Sequence, residues 1–168
     1  LKPAVQQTYS GVIGVLATAN TFQSQRYANL AARFAADVQL LQNPCVGLVE
    51  RIERGETETP ETEQFLRAIV EPMLRQGADT LILGCTHYPF VRPLLEKIAG
   101  SHVAIIDPAT AVAQQVQRRL PFAIDQQEMP PQFYTTGDET RLRHQVRQLL
   151  GWEEFSAMKV EGRMPKSE

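Results

Sequence analysis

Thr80-Leu81-Ile82-Leu83-Gly84-Cys85-Thr86-His87-Tyr88-Pro89 is the stretch on which the reading of this chain turns. Leu81, Ile82 and Leu83 read as a strand covered on both faces, and Pro89 suits the first turn of a helix, so the thiol of Cys85 stands where a buried strand becomes a helix. Gly84 lets the chain approach a ligand closely. Unpaired amide hydrogens of that turn would face whatever Cys85 touches, and their partial positive charge favours thiolate over thiol. Cys85 is therefore a candidate nucleophile or proton-transfer base. A cysteine that only fills core volume is the commoner case. Such a residue, however, needs neither a glycine before it nor the hydroxyl and imidazole of Thr86 and His87 after it.

Working outward, Gly11 to Ala17 is a second apolar run, and Thr18-Ala19-Asn20-Thr21 after it is a loop of the kind that caps a helix. Tyr27, Leu30, Ala31, Phe34 and Ala35 predict one helix over 22–37, followed by a strand over 38–42. Thr59-Pro60-Glu61-Thr62 opens a helix that should stop at Gly77, with a kink or a shortened segment at Pro72. A helix over 90–99, a short strand over 103–106 and a helix over 109–120 complete the alternation. Strand and helix in turn imply βαβ units: an α/β fold with a mainly parallel sheet flanked by helices, whose ligands sit beyond the carboxyl ends of the strands. Thr18, Thr21, Cys45, Cys85, Thr86 and Asp107 all fall on that rim.

The texture changes at Pro121. Pro121, Pro130 and Pro131 flank a polar stretch with Asp125 and Glu128 that reads as a connector. A strand over 133–136 and an amphipathic helix over 138–150 follow. One strand and one helix cannot close a domain, so this tail either extends the sheet already described or belongs with a partner domain. Trp152, Phe155 and Met158 read as core or docking residues, and His102 and His144 as surface residues. Leu1-Lys2-Pro3-Ala4, with little chain before the first strong strand, reads as the start of a cut piece.

Composition removes several classes. The chain has 168 residues, a formal net charge of -2 and Lys and Arg scattered rather than striped, so a nucleic-acid surface has little support. No apolar run approaches the roughly 18 residues of a spanning helix, and no charged-then-apolar leader opens the sequence. Cys45 and Cys85 with three histidines at wide spacing make neither a disulfide framework nor a zinc pattern, so no metal is expected and a reducing cytoplasm is the default. Lys2, Lys97, Lys159 and Lys166 all lie off the rim, which leaves no Schiff-base lysine for a pyridoxal enzyme. Glycine-rich nucleotide fingerprints are missing too. A cysteine phosphatase also uses a thiolate loop at a helix start, but no glycines lie between Cys85 and Arg92 to cradle a phosphate.

Leu81 to Pro89 resembles the LxLGCTHYP signature of glutamate racemases, within the aspartate/glutamate racemase superfamily. Gly11 to Thr18 with Thr21 is similar to that family's GVxxxLAT segment, Pro44-Cys45 to Glu50 to its CPxLVxxxE segment with cysteine and proline transposed, and Phe133 to Asp138 to its late T(S/T)GD stretch. The nonamer is the specific match; the others would be weak alone. Together they cover nearly the whole chain.

The resemblance implies an aspartate/glutamate racemase-like three-layer domain and a cofactor-free interconversion of L- and D-glutamate by two thiols on opposite faces of the substrate. Inversion needs a base on one side and an acid on the other. It implies Cys85 as one catalytic thiol, His87 assisting its protonation cycle, Thr86 binding the substrate's polar groups, and Glu50 orienting His87. Glu50 as a solvated acid is an equal reading. Thr18 and Thr21 contact substrate or cap the helix after them, and the same hydroxyls could do both. Cys45 reads as a packing or loop-shaping residue. On this resemblance residues 1–120 are the second, carboxyl-terminal domain of a racemase, and residues 121–168 a connector plus a strand-helix tail that packs on a first domain not present here. The intact enzyme would be a cytoplasmic homodimer supplying D-glutamate for peptidoglycan, with glutamate as its small-molecule partner and no cofactor. The piece alone would be inactive. A related aspartate or hydantoin racemase, or a non-catalytic binding module, are the alternatives.

Overall fold

The computed structural model describes residues 1–120 and 130–161; the expected connector with Asp125 and Glu128 lies outside the described residues. The chain divides into two units, one up to about residue 121 and one after it. In chain order the first unit runs α1 (Lys2–Gln7), β1 (Val12–Leu16), α2 (Ala19–Gln23), α3 (Gln25–Phe34), β2 (Gln39–Asn43), α4 (Leu48–Glu53), α5 (Pro60–Arg75), β3 (Thr80–Leu83), α6 (Arg92–Ala99), β4 (Ala104–Ile106) and α7 (Ala109–Arg119).

Its four strands form one parallel sheet in the order β2-β1-β3-β4. Ile13, Val15, Ala17 and Ile82 face one side, where Ala4 of α1 and the partly buried Phe22 and Tyr27 of α2 and α3 cover them. Gly14 and Leu81 face the other, under Met73 of α5; a Cβ on Gly14 would come within 2.5 Å of Leu81 Cδ2 and 2.9 Å of Met73 Sδ. Both faces of the sheet are thus covered, which is the condition under which all-parallel sheets occur. In register, Leu16 pairs with both Asn43 and Leu83. Successive strands therefore end together on one edge, and the chain turns to opposite sides after β1 and after β3. That switch point between β1 and β3 is where an open parallel sheet leaves a crevice.

Several expected elements differ in detail. The single helix over 22–37 is two helices broken at Ser24, which is extended (φ -74, ψ 137); its Oγ accepts from the Tyr27 amide while its own amide donates to Thr21 O. A serine competing for backbone bonds is the reason. At Pro72 α5 continues as one element to Arg75, without the bond that an amide at this position would donate to Ala68 O. The helix expected from Phe90 starts as an α-helix only at Arg92, after a 3-10 turn over Tyr88–Val91.

The second unit holds β5 (Gln132–Thr135), α8 (Glu139–Gln145) followed by a π turn over Val146–Leu150, and β6 (Ser156–Lys159). Its two strands pair in parallel, β6 being a strand that the sequence pattern did not reveal. Phe133 stacks edge-on against Phe155 at 5.6 Å and tilts against Trp152 at 5.9 Å, while Met158 is exposed. Asp138, within the stretch resembling T(S/T)GD, caps α8 by accepting from the Arg141 amide at 2.6 Å.

Candidate active site

Cys85 stands two residues beyond β3, at the switch point. The Gly84 amide donates to Leu16 O at 2.7 Å, binding the turn to the end of β1, and a Cβ on Gly84 would meet Ala17 Cβ at 2.8 Å and Leu16 O at 3.1 Å. Close approach of two backbones is why glycine is required there. Beyond it the chain turns, with the Tyr88 amide donating to Cys85 O at 3.2 Å. The amides of Cys85, Thr86 and His87 bond to nothing among the described residues. These free N–H groups belong to the turn itself and not to the end of α6, which begins seven positions later. Successive unpaired amides make a concavity suited to an anion such as a carboxylate.

Cys85 is a free, half-buried thiol, Thr86 is exposed, and both line a concavity of about 450 Å³ together with Pro89, Asp107, Pro108, Ala109, Val112 and Ala113. His87 is about one-third exposed and its Nε2 lies 3.5 Å from Glu53 Oε1. The carboxylate against the histidine is therefore Glu53 and not Glu50. Leu48 and Ile52 are fully buried and fix the roll of α4, which leaves Glu53 toward His87 and leaves Glu50 exposed beside a neighbouring concavity. Spacing could have offered Glu53 beside Glu50 without choosing between them: Leu48 and Ile52 are at i and i+4, and a helical reading of 48–53 puts both carboxylates within reach of one rim.

That neighbouring concavity, about 220 Å³, is lined by Thr18, Asn20, Cys45, Glu50 and Tyr88 among others. Thr18 caps α2: its Oγ1 lies 3.4 Å from the Thr21 amide and 3.0 Å from Thr21 Oγ1. Capping is thus realised at Thr18, while Thr21 lies within α2 and shares its hydroxyl contact. Cys45 is 2% exposed and sits in the left-handed region at φ 44, held there by its amide bond to Asn43 Oδ1 at 2.9 Å. Burial pushes its thiol up to about 12, so at neutral pH it is a packed, protonated sulfur. Tyr88 is fully buried with its hydroxyl outside hydrogen-bonding geometry, and desolvation pushes that hydroxyl far above its ordinary range. The sequence-identified residues thus divide: Cys85 with Thr86, Thr18 with Thr21 and Glu50, and His87 on Glu53. Asp107 faces the Cys85 concavity and its Oδ1 accepts from the Ala109 amide at 2.8 Å, at the start of α7. His102 and His144 are exposed, and no helix among the described residues is long and apolar enough to cross a membrane.

Comparison with known proteins gives the family and the fold. A family model described as Asp/Glu/Hydantoin racemase matches residues 3–116. A glutamate racemase of Stutzerimonas stutzeri is 46% identical over 153 residues, covering 90% of this chain and 58% of its own length. The crystal structure of a Bacillus anthracis glutamate racemase superposes with a TM-score of 0.77 at 29% identity, over 94% of this chain and 60% of that one. An Escherichia coli glutamate racemase, solved with L-glutamate and the activator UDP-MurNAc-ala, gives 0.76 at 26% identity, over 95% and 61%. The chain therefore spans about three fifths of the length of these relatives. With more than half of its residues under the family model and its parallel sheet shared with solved racemases, this chain belongs to the Asp/Glu/hydantoin racemase family.

Proposed function

We propose that this chain is one catalytic half of a cofactor-independent glutamate racemase, with Cys85 as one of its two proton-transfer groups. The observation that carries the reading is the turn at the β1/β3 switch point, where a reachable thiol adjoins unpaired amides and a histidine braced by Glu53. The unpaired amides and the Thr86 hydroxyl would hold the α-carboxylate of the amino acid. The Cys85 thiolate would take the α-hydrogen, the bonding electrons moving into the held carboxylate, and a group on the opposite face would return a proton to the α-carbon. His87, oriented by Glu53, would carry the proton to and from Cys85. Cys45 does not serve as the opposite group, since its sulfur is buried and protonated. The opposite group comes from outside the described residues. D-Glutamate for peptidoglycan, a reducing cytoplasm and a homodimeric intact enzyme belong to the same proposal.

The test is a chimera in which the part of the Stutzerimonas stutzeri relative that this chain does not match is fused to it. In heavy water it should exchange the α-hydrogen of glutamate and interconvert the enantiomers, and Cys85→Ser should remove the activity by at least about a thousandfold. A chimera that folds and binds glutamate but exchanges nothing refutes the reading in favour of a binding module. Exchange of aspartate or a hydantoin in place of glutamate would move the substrate to that branch.

A further inference from the structure

The polar side chains lining the Cys85 concavity are those of Cys85, Thr86 and Asp107; the rest of its lining is apolar, with Pro89 from the turn and Pro108, Val112 and Ala113 from the start of α7. Asp107 is already engaged, its Oδ1 accepting from the Ala109 amide. Helix α7 buries none of its residues and Val112 is 59% exposed, so this apolar wall is open to a ligand. Such a wall gives a dicarboxylate nothing to bond, but it takes hydrocarbon out of water. Within the same concavity stands a reachable sulfur, and the amides of Cys85, Thr86 and His87 beside it bond to nothing among the described residues. A thiol, unpaired amides and an apolar wall are the parts that an acyl transfer needs: a nucleophile, donors for the oxygen that turns negative, and a seat for the acyl chain.

We propose that this concavity is also an acyl-acceptor site, in which Cys85 takes a short, unbranched apolar acyl group from a small-molecule thioester. The Cys85 thiolate adds to the thioester carbonyl, and the carbonyl oxygen carries its new negative charge against the unpaired amides. Collapse of that intermediate breaks the donor's own bond between carbon and sulfur, so the donor leaves as a thiolate and no proton has to move. One thioester is consumed and one is formed, with nothing oxidised or reduced. The acyl chain lies along Pro89, Val112 and Ala113, and each methylene that the wall removes from water favours the reaction. Cys45 does not compete, being 2% exposed. The inference goes beyond the racemase reading and does not rest on it, since it needs no protein group from outside the described residues. The two meet at one sulfur: an acylated Cys85 has no thiolate with which to take an α-hydrogen.

The experiment incubates the 168-residue chain with butyryl-N-acetylcysteamine or acetyl-N-acetylcysteamine near pH 8. Intact mass counts the acyl groups gained and peptide mapping places them. One butyryl group should appear on Cys85, at least tenfold faster than on N-acetylcysteine under the same conditions and at least threefold faster than the acetyl group. Cys85→Ala should leave the mass unchanged. Ala113→Phe, which fills the wall from an exposed position, should slow butyryl transfer at least tenfold while acetyl transfer changes less than twofold and the melting curve stays in place. Val112→Asp, also exposed, should reproduce that selective loss by putting a charge where the chain lies. Transfer no faster than to N-acetylcysteine, an acyl group found on Cys45 or a lysine in place of Cys85, or butyryl transfer indifferent to both wall substitutions overturns the site. Hydrogen exchange in the chimera bears on the racemase reading alone, because acylation is read on the 168-residue chain.

Discussion

Cys45 and Cys85 present one side chain in two environments. The first is sealed at 2% exposure with its thiol pushed up to about 12; the second is half-buried on an open concavity. Since the thiolate is the reactive species, iodoacetamide near pH 8 should label Cys85 and spare Cys45 until the chain unfolds. Peptide mass spectrometry at short times reads this, and equal labelling of the two would contradict the burial. A second expectation belongs to His87. Its Nε2 lies 3.5 Å from Glu53 Oε1 of α4. Glu53→Gln should move the imidazole nitrogen resonances and, in the active chimera, lower kcat by about 10- to 100-fold with little change in KM, while Glu50→Gln should leave the resonances in place. The reverse pattern would return Glu50 to the role that the family resemblance assigned it.

Among the elements, the start of β3 is tied to the loop between α1 and β1 by a single carboxylate. Asp79 accepts from Thr8 Oγ1 at 2.6 Å, from the Tyr9 and Ser10 amides at 2.7 Å each, and from Thr80 Oγ1 at 3.0 Å. Desolvation by itself pushes this carboxyl up; the Thr8 hydroxyl, the Ser10 and Tyr9 amides and the Thr80 hydroxyl together outweigh it and hold the carboxyl well below its usual range. A folded-state pKa below the unfolded one stabilises fully above the unfolded value of about 3.9, and that contribution is lost as pH falls through the folded value. Asp79→Asn should therefore cost about 1–3 kcal/mol at pH 7. In urea melts the gap between wild type and variant should close as the pH drops from 5 toward 2; a gap that widens on acidification would show that Asp79 is not charged in the folded chain. Helix boundaries follow equally local causes. Thr18, Ser24, Thr59 and Asp138 each cap a helix through a side-chain oxygen, and the sequence marked three of these starts, at Thr18, Thr59 and Asp138. Ser24 escaped because a serine inside an apolar-periodic stretch reads as helix until its own bonds are counted.

For the whole molecule the proposed chemistry has one missing member. Among the described residues Cys85 is the reachable thiol and Cys45 is sealed, so the 168-residue chain by itself should leave the α-hydrogen of glutamate unexchanged in heavy water over hours, a result that nuclear magnetic resonance reads directly. Exchange at enzyme rates would mean that a second acid or base lies within this chain. The α/β class and the rim positions of Thr18, Cys45, Cys85 and Asp107 were legible from residue order alone, because a fully apolar run bounded by glycine and turn residues marks a strand and fixes where it ends. The packed place of Cys45 was legible as well. Two things were not: which carboxylate meets His87, and that α7 lies uncovered. Each depends on contacts between segments far apart in the chain, set by the roll of α4 on Leu48 and Ile52 and by what packs on a helix face. Periodicity records which side of an element is apolar; only packing decides what that side, and the polar residues beside it, come to touch.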